Sequence, residues 1–196
     1  MKRNIGVVKS AKIINVISAG LMFLAGLPFL LYFDLGSLPA ARLILSIIFG
    51  LTSLSKLFGY FSNDLYRLAF QFDLAIGVFC GILAVLIAFL PESAGSLVPC
   101  LISIYVILDS LLKVQTALDA RRFGMRAWLA ILLSALVLCV AGGFALSAAL
   151  QNFVSRGVSV SVALMTDGLV NAFVTAYTVR IRARKKNLSD KYGFEE

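Results

Sequence analysis

The stretch that decides the fold is ILDSLLKVQTAL at residues 107–118, together with two related stretches of the chain. GLTSLSKLFGYF occupies residues 50–61 and MTDGLVNAFVTA occupies residues 165–176, so the three start at 50, 107 and 165, with offsets of 57 and 58 residues. Each contains a polar pair four residues apart, and these pairs are Thr52 and Lys56, Asp109 and Lys113, and Asp167 and Asn171. Residues four apart share one face of a helix. The pattern therefore predicts three related helices that carry a polar stripe.

The composition places these helices in a membrane. Apolar residues make up 60% of the 196-residue chain and charged residues 14%, with a mean hydropathy of +0.95. Soluble domains contain about 45–50% apolar and about 25% charged residues. A membrane-spanning helix needs about 20 apolar residues. Six such helices would use most of the chain and leave no room for a separate soluble domain.

The predicted fold is an all-α, multi-pass membrane protein with six transmembrane helices at about 13–33, 40–61, 70–90, 97–118, 127–149 and 158–179. They form three tandem two-helix hairpin repeats, at about 13–61, 70–118 and 127–179. The whole of residues 1–180 is then one bundle, and residues 181–196 are a flexible basic tail. The first span could instead be a signal peptide, but its apolar run exceeds the usual length of about 7–15 residues, and each later repeat has a counterpart to it.

Basic residues indicate the orientation of the chain. They concentrate before the first span, in the loops after the second and fourth spans, and in the tail. The opposite side has only Arg42 and Arg156. Lys and Arg collect on the cytoplasmic side. Both termini are therefore predicted to be cytoplasmic, in a cell (inner) membrane. The net charge of +8 then reflects topology and contact with the lipid bilayer, and no nucleic-acid partner is expected.

Two charged segments outside the spans have expected partners. The basic residues at 182–186 should attract anionic lipids, at about 1 kcal/mol per residue near the surface. The turn after the second span is flanked by Asp64, Arg67 and Asp73, which should pair with one another or with lipid headgroups.

Small residues on the odd-numbered helices predict close helix packing. They are Gly20, Gly77, Gly81, Ala135, Cys139 and Gly143. Small side chains allow helix backbones to approach closely in lipid. Packing within the bundle is the favoured interpretation, and contact between copies in a homo-oligomer is the alternative.

Three features stand out between residues 77 and 129: the stretch from Gly77 to Pro91, the basic pair Arg121 and Arg122, and the Ala127-Trp128-Leu129 start of the next span. Together they resemble the HdeD family of membrane proteins. The likeness in architecture covers about residues 13–180. It implies a six-helix bacterial inner-membrane protein that contributes to acid or envelope stress tolerance by an unknown molecular mechanism. The third repeat departs from the family pattern because residues 149–152 replace the proline that ends the helix.

The polar stripe is the candidate functional site. Its residues are Thr52, Lys56, Tyr105, Asp109, Lys113, Asp167, Asn171 and Thr175. Two lysines would face two aspartates, so the set would be neutral. One interpretation is an ion-pair cluster that fixes helix register, with Lys56 reaching to the cytoplasmic interface. Another is a hydrated site for a proton or small solute in a transporter or channel, since ionisable residues within membranes often mark such pathways. A partner-binding site is the third.

Enzymatic activity is not expected. The chain contains no histidine, no serine or cysteine beside a plausible base, and no phosphate-binding glycine loop. The three cysteines lie far apart and form no C-x-x-C motif, which argues against a metal site. The sequence therefore predicts no catalytic residue, no metal and no cofactor.

Overall fold

The computed structural model describes residues 2–31, 39–61, 72–94, 97–122, 124, 127–151 and 156–192. Side chains are described at 12–28, 30, 40–61, 72–91, 93–94, 97–122, 124, 127–151 and 156–176. Within these ranges the chain forms six α-helices and one short 3₁₀ helix, Glu92–Ala94. The α-helices are α1 (Lys2–Leu31), α2 (Pro39–Phe61), α3 (Asp73–Phe89), α4 (Leu97–Arg122), α5 (Trp128–Gln151) and α6 (Arg156–Tyr192).

Long apolar runs produce these helices because a helix satisfies its own backbone hydrogen bonds, as a lipid environment requires. By length and composition, four helical segments could cross a membrane: Ala40–Phe61, Leu97–Arg122, Trp128–Gln151 and Arg156–Ala176. Lys12–Pro28 and Asp73–Phe89 are apolar but shorter within the described residues. The architecture is consistent with a helical membrane protein. Helix α6 also continues to Tyr192, so helical backbone extends into the segment predicted as a flexible tail.

The helices that pack most extensively are not the two members of each predicted hairpin. The three largest interfaces join α2 to α3, α4 to α5, and α6 to α1. Contacts within the predicted hairpins, α1 with α2, α3 with α4, and α5 with α6, are less extensive. Helices α2 and α4 therefore each pack most extensively on the helix that follows them in the chain. Helix α6, which no later helix follows, packs most extensively on α1.

Close backbone approach explains this pairing. A Cβ atom added at Gly168 would lie 2.6 Å from the carbonyl oxygen of Ala19, and one at Gly26 would lie 2.9 Å from that of Ser161, both across the α1–α6 interface. At Gly142, on α5, the added atom would lie 2.9 Å from Ile107 of α4. At such distances the Cα atom of each glycine has room for a hydrogen atom but not for a methyl group.

The small residues predicted to pack do so only in part. Gly77 and Gly81 face α2, and Ala135 is fully buried. Gly20 is exposed, Cys139 is half-buried, and a Cβ atom at Gly20 or Gly143 would meet nothing within 4 Å. The prediction chose the wrong face of α1 and, on α5, the wrong one of two adjacent glycines.

Polar side chains of α2 strengthen its contact with α3. Ser53 donates to the carbonyl oxygen of Gly77 at 2.7 Å, and Ser46 donates to that of Ala84 at 2.7 Å. Arg42 reaches the carbonyl oxygen of Leu90, just beyond the last turn of α3, at 2.5 Å. These bonds satisfy otherwise free hydroxyls and a helix-end carbonyl inside the bundle.

Candidate functional site

The polar centre of the bundle lies between α4 and α6. Tyr105, Asp109 and Lys113 follow one another at four-residue intervals on α4, and Asp167 and Asn171 do so on α6. Four-residue spacing places each set on a single helix face. Asp167 and Tyr105 are fully buried, and Asp109 and Lys113 are only 4% and 6% exposed. We name these five residues the Asp109 cluster.

A continuous hydrogen-bond network joins the Asp109 cluster. Lys113 Nζ pairs with Asp109 Oδ2 on its own helix and lies 3.7 Å from Asp167 Oδ1. Asn171 Nδ2 donates to Asp109 Oδ2 at 3.2 Å and to Asp167 Oδ1 at 3.1 Å. Tyr105 donates its hydroxyl to Asp167 Oδ2 at 3.1 Å. One ammonium, one amide and one phenol therefore serve two carboxylates.

Lys56 does not belong to this network. Its Nζ lies 3.1 Å from Asp73 Oδ1, on the first residue of α3. Asn15 of α1 donates to Asp73 Oδ2 at 3.4 Å, and Ser55 donates to Asn15 Oδ1 at 3.5 Å. These four residues form a second buried cluster, the Asp73 cluster, which is neutral. The interpretation in which Lys56 reaches to the cytoplasmic interface stays a prediction, since Asp73 lies at the very start of α3.

Asp73 was expected at a surface turn with Asp64 and Arg67. It is instead 8% exposed and belongs to the interior, whereas Asp64 and Arg67 lie outside the described residues. Neither Asp73 nor Asn15 was among the predicted site residues. The signal that could have found Asp73 is the need of Lys56 for a carboxylate, since a buried charge without a partner is costly.

Two members of the predicted stripe remain, Thr52 and Thr175. Thr52 donates to the carbonyl oxygen of Ile48 on its own helix at 2.9 Å, as hydroxyls within apolar helices often do. Thr175 lies one turn after Asn171 and is half-buried. The single predicted stripe is thus two separate clusters.

This separation changes the charge of the site. The Asp109 cluster has two carboxylates and one ammonium, so its net charge is −1 when both carboxylates are ionised. The sequence had indicated a neutral set because it assigned Lys56 to the same site. Removing charge from water is costly even for matched pairs, and an unmatched buried carboxylate is more costly still. The Asp109 cluster therefore favours one additional positive charge.

An aromatic contact lies beside the Asp109 cluster. The ring of Phe49, on α2, meets that of Tyr105 edge to face, with centroids 5.1 Å apart and planes at 86°. Both rings are fully buried. Edge-to-face pairs of this kind are favourable beyond the area that they bury. The contact orients the ring of Tyr105, whose hydroxyl donates a hydrogen bond to Asp167.

The donor set is unsuited to a bound transition metal. Over the described ranges, no group of three or more Cys, Asp or Glu side chains is placed to hold a metal ion. Cys80, Cys100 and Cys139 are free thiols. The two carboxylates of the Asp109 cluster already accept bonds from lysine, asparagine and tyrosine. What the arrangement can do chemically is bind and release a proton or a small monovalent cation.

No family model, no curated protein and no solved structure matches this chain.

Proposed function

We propose that this protein is a multi-pass membrane protein that binds a proton reversibly at the Asp109 cluster and passes it across the bilayer. The observation that carries the proposal is the charge of the cluster, with two buried carboxylates against the ammonium of Lys113. A proton supplies the missing positive charge without enlarging the site. Ionisable residues inside membranes frequently mark proton pathways.

The surroundings of the cluster support a membrane setting for this activity. Large apolar side chains face outward, with Phe89 84% exposed and Val140 72% exposed, whereas Asp109, Lys113 and Asp167 are buried. Long apolar segments are matched to a bilayer. The distribution of Lys and Arg along the chain supports six spans with both termini in the cytoplasm, arranged as three repeats.

A cellular role in acid tolerance would fit this chemistry. The resemblance of residues 77–91 and 127–129 to the HdeD family implies such a role in a bacterial inner membrane. A cluster that takes up a proton can respond directly to acid. The resemblance supports the cellular role, and the charge of the Asp109 cluster supports proton binding as its mechanism.

Proton flux into liposomes tests the proposal. Purified protein is reconstituted around a pH-sensitive dye, a pH gradient is imposed, and the rate of acidification is compared at equal amounts of protein. The wild type should acidify the lumen faster than protein-free liposomes do. Asp109→Asn and Asp167→Asn should reduce the rate to near the protein-free level.

The matched control is Thr52→Val, at the position in the first polar stretch that corresponds to Asp109. Thr52 bonds only the Ile48 carbonyl among the contacts described, so its loss should leave the flux unchanged. If the wild type is no faster than empty liposomes, the cluster only fixes helix register and the proposal is wrong. In cells, survival of an acid shock should be lost in Asp167→Asn, at wild-type protein abundance, and kept in Thr52→Val.

A further inference from the structure

The two carboxylates of the Asp109 cluster differ in how completely they are hydrogen-bonded. Each oxygen of Asp167 has its own donor: Oδ1 accepts from Asn171 at 3.1 Å and lies 3.7 Å from Lys113 Nζ, and Oδ2 accepts from Tyr105 at 3.1 Å. The residue is fully buried. Neither oxygen of Asp167 is therefore free of a hydrogen-bond donor.

Asp109 is bonded on one side only. Lys113 and Asn171 both approach Oδ2, and no hydrogen bond from any described residue reaches Oδ1. That oxygen is not one of the buried side-chain atoms left without a partner, so it retains a little accessible surface, in keeping with the 4% exposure of the residue. A protonated carboxyl group is itself a donor and no longer requires one at that oxygen. A proton on Asp109 Oδ1 therefore breaks no described hydrogen bond, whereas a proton on either oxygen of Asp167 would displace a donor.

We propose that Asp109 Oδ1 is the atom that carries the exchangeable proton, and that Asp167 positions Lys113 and Asn171. This assignment rests on the proposed function. Uptake transfers one proton from water to Asp109 Oδ1. The cluster then contains the Lys113 ammonium, the Asp167 carboxylate and a neutral Asp109, and its net charge is zero.

Asn171 is the residue that can serve both states. Its Nδ2 donates to both carboxylates, and its Oδ1 accepts no hydrogen bond from the described residues. A side-chain amide contains both a donor and an acceptor. When Asp109 is ionised, the Asn171 amide donates to it. When Asp109 is protonated, rotation of the Asn171 side-chain amide lets the Asn171 Oδ1 accept from the new hydroxyl of Asp109. Asn171 is thus a positioning residue for the proton.

Charges on the neighbouring helices do not neutralise the cluster. Helix α5 contains no Asp, Glu, Lys or Arg between Trp128 and Gln151. On α2 and α3, Lys56 and Asp73 are already paired with each other, Arg42 bonds the carbonyl oxygen of Leu90, and the Cys80 thiol lies by the Tyr105 hydroxyl. On α1 the charged side chain described is Lys12, three residues before Asn15 of the Asp73 cluster. On α6, the remaining described charge is Arg156, at its first residue. The exchangeable proton is therefore the available neutralising charge among the described groups.

Infrared difference spectroscopy tests the assignment on the full chain in lipid. As the pH is lowered, the wild type should gain the carbonyl stretch of a buried carboxylic acid. Asp109→Asn should abolish that band, while Asp167→Asn should retain it with a shifted pH midpoint. Asp109→Glu should retain it at a changed frequency. Asp119→Asn, on the same helix but outside the cluster, is the control and should leave the band unchanged.

Asp109→Asn leaves Lys113 and Asp167 as a neutral pair and should fold, which its thermal melting will show. Mapping of wild-type protein with a hydrophobic carbodiimide, which modifies protonated carboxyl groups, needs no variant and should label Asp109 rather than Asp167. A band lost only in Asp167→Asn, or a label on Asp167, would overturn the assignment while keeping a proton site. Absence of any such band or label from the wild type at every pH would overturn both this assignment and the proposed function.

Discussion

Lys56 shows how a buried charge finds its partner outside its own helix. Its ammonium lies one turn after Thr52, which has no charge, so it cannot repeat the pairing of Lys113 with Asp109. Instead it binds Asp73, 17 residues further along the chain. The bond crosses from α2 to α3 and is strengthened by Asn15 from α1. One ion pair thus ties three helices together.

A double-mutant cycle would measure this pairing. Lys56→Met should destabilise the protein by about 3–5 kcal/mol, because it leaves Asp73 as an unpaired buried charge. Adding Asp73→Asn should recover much of that loss, so the coupling energy between the two positions should be large in thermal or denaturant unfolding. The control cycle combines Lys56→Met with Asp109→Asn and should give nearly additive effects. A larger coupling in the control cycle would place Lys56 in the Asp109 cluster after all.

The sequence predicted part of the site because four-residue spacing fixes neighbours within one helix. It placed Asp109 beside Lys113, and Asp167 beside Asn171, and the structure brings these two pairs together. It could not place Asp73 or Asn15. Asn15 has no charge and lies in an apolar run, and the rotation of α3 about its axis depends on packing that no local pattern encodes.

At the scale of helices, the contact of α1 with α6 is the tightest. Gly168 approaches both the carbonyl oxygen of Ala19 and the backbone nitrogen of Phe23, at 2.6 and 2.7 Å from the added Cβ position. Backbone atoms cannot move aside as a flexible side chain can. This interface therefore depends on glycine at that position.

Substitution by alanine tests this dependence. Gly168→Ala should destabilise the bundle by about 1–3 kcal/mol, the usual cost of overpacking, in thermal unfolding in detergent. Gly143→Ala adds the same methyl group where nothing lies within 4 Å. It should be neutral or stabilise by up to about 1 kcal/mol, since alanine favours a helix over glycine. Equal melting temperatures for the two variants would show that α1 and α6 do not pack closely.

The length of the apolar segments predicted helices, because few other structures can hydrogen-bond every backbone group within lipid. The faces on which they meet were harder to predict. Gly20 and Gly26 both lie on α1, and Gly142 and Gly143 are adjacent on α5, so small size alone cannot distinguish the packed residue from the exposed one. The choice depends on the opposing helix: Met165 and Ser161 face Gly26, and Ile107 faces Gly142.

At the scale of the whole molecule, polar groups lie inside and large apolar side chains lie outside. Among the residues whose side chains are described, fifteen polar or charged ones are buried beside the apolar core, including Lys56, Asp109 and Asp167, while large apolar side chains such as Leu54 and Phe61 are exposed. In water this arrangement would expose extensive apolar patches. In lipid the apolar exterior meets hydrocarbon, while the buried Asp and Lys side chains bond to one another inside the bundle.

Reporter fusions would establish the orientation of this bundle. A reporter that is active only in the cytoplasm should be active at the C-terminus and in the loop at Arg121 and Arg122, because basic loops remain on that side. It should be silent near Glu92 or Asn152. Equal amounts of each fusion protein are confirmed by immunoblotting. The reverse pattern of activity would invert the proposed topology.

The extensive contact between α1 and α6 also constrains how the protein is made. The ribosome makes α1 before α6, so α1 lacks its main packing partner during most of synthesis. Lys113 is made with Asp109 already four residues before it on the same helix, whereas Lys56 lacks its partner until Asp73 has been made. A nascent chain arrested before α6 would lack Asp167 and Gly168 together, so the carboxylate pair and the contact of α1 with α6 are both completed by the last of the described helices.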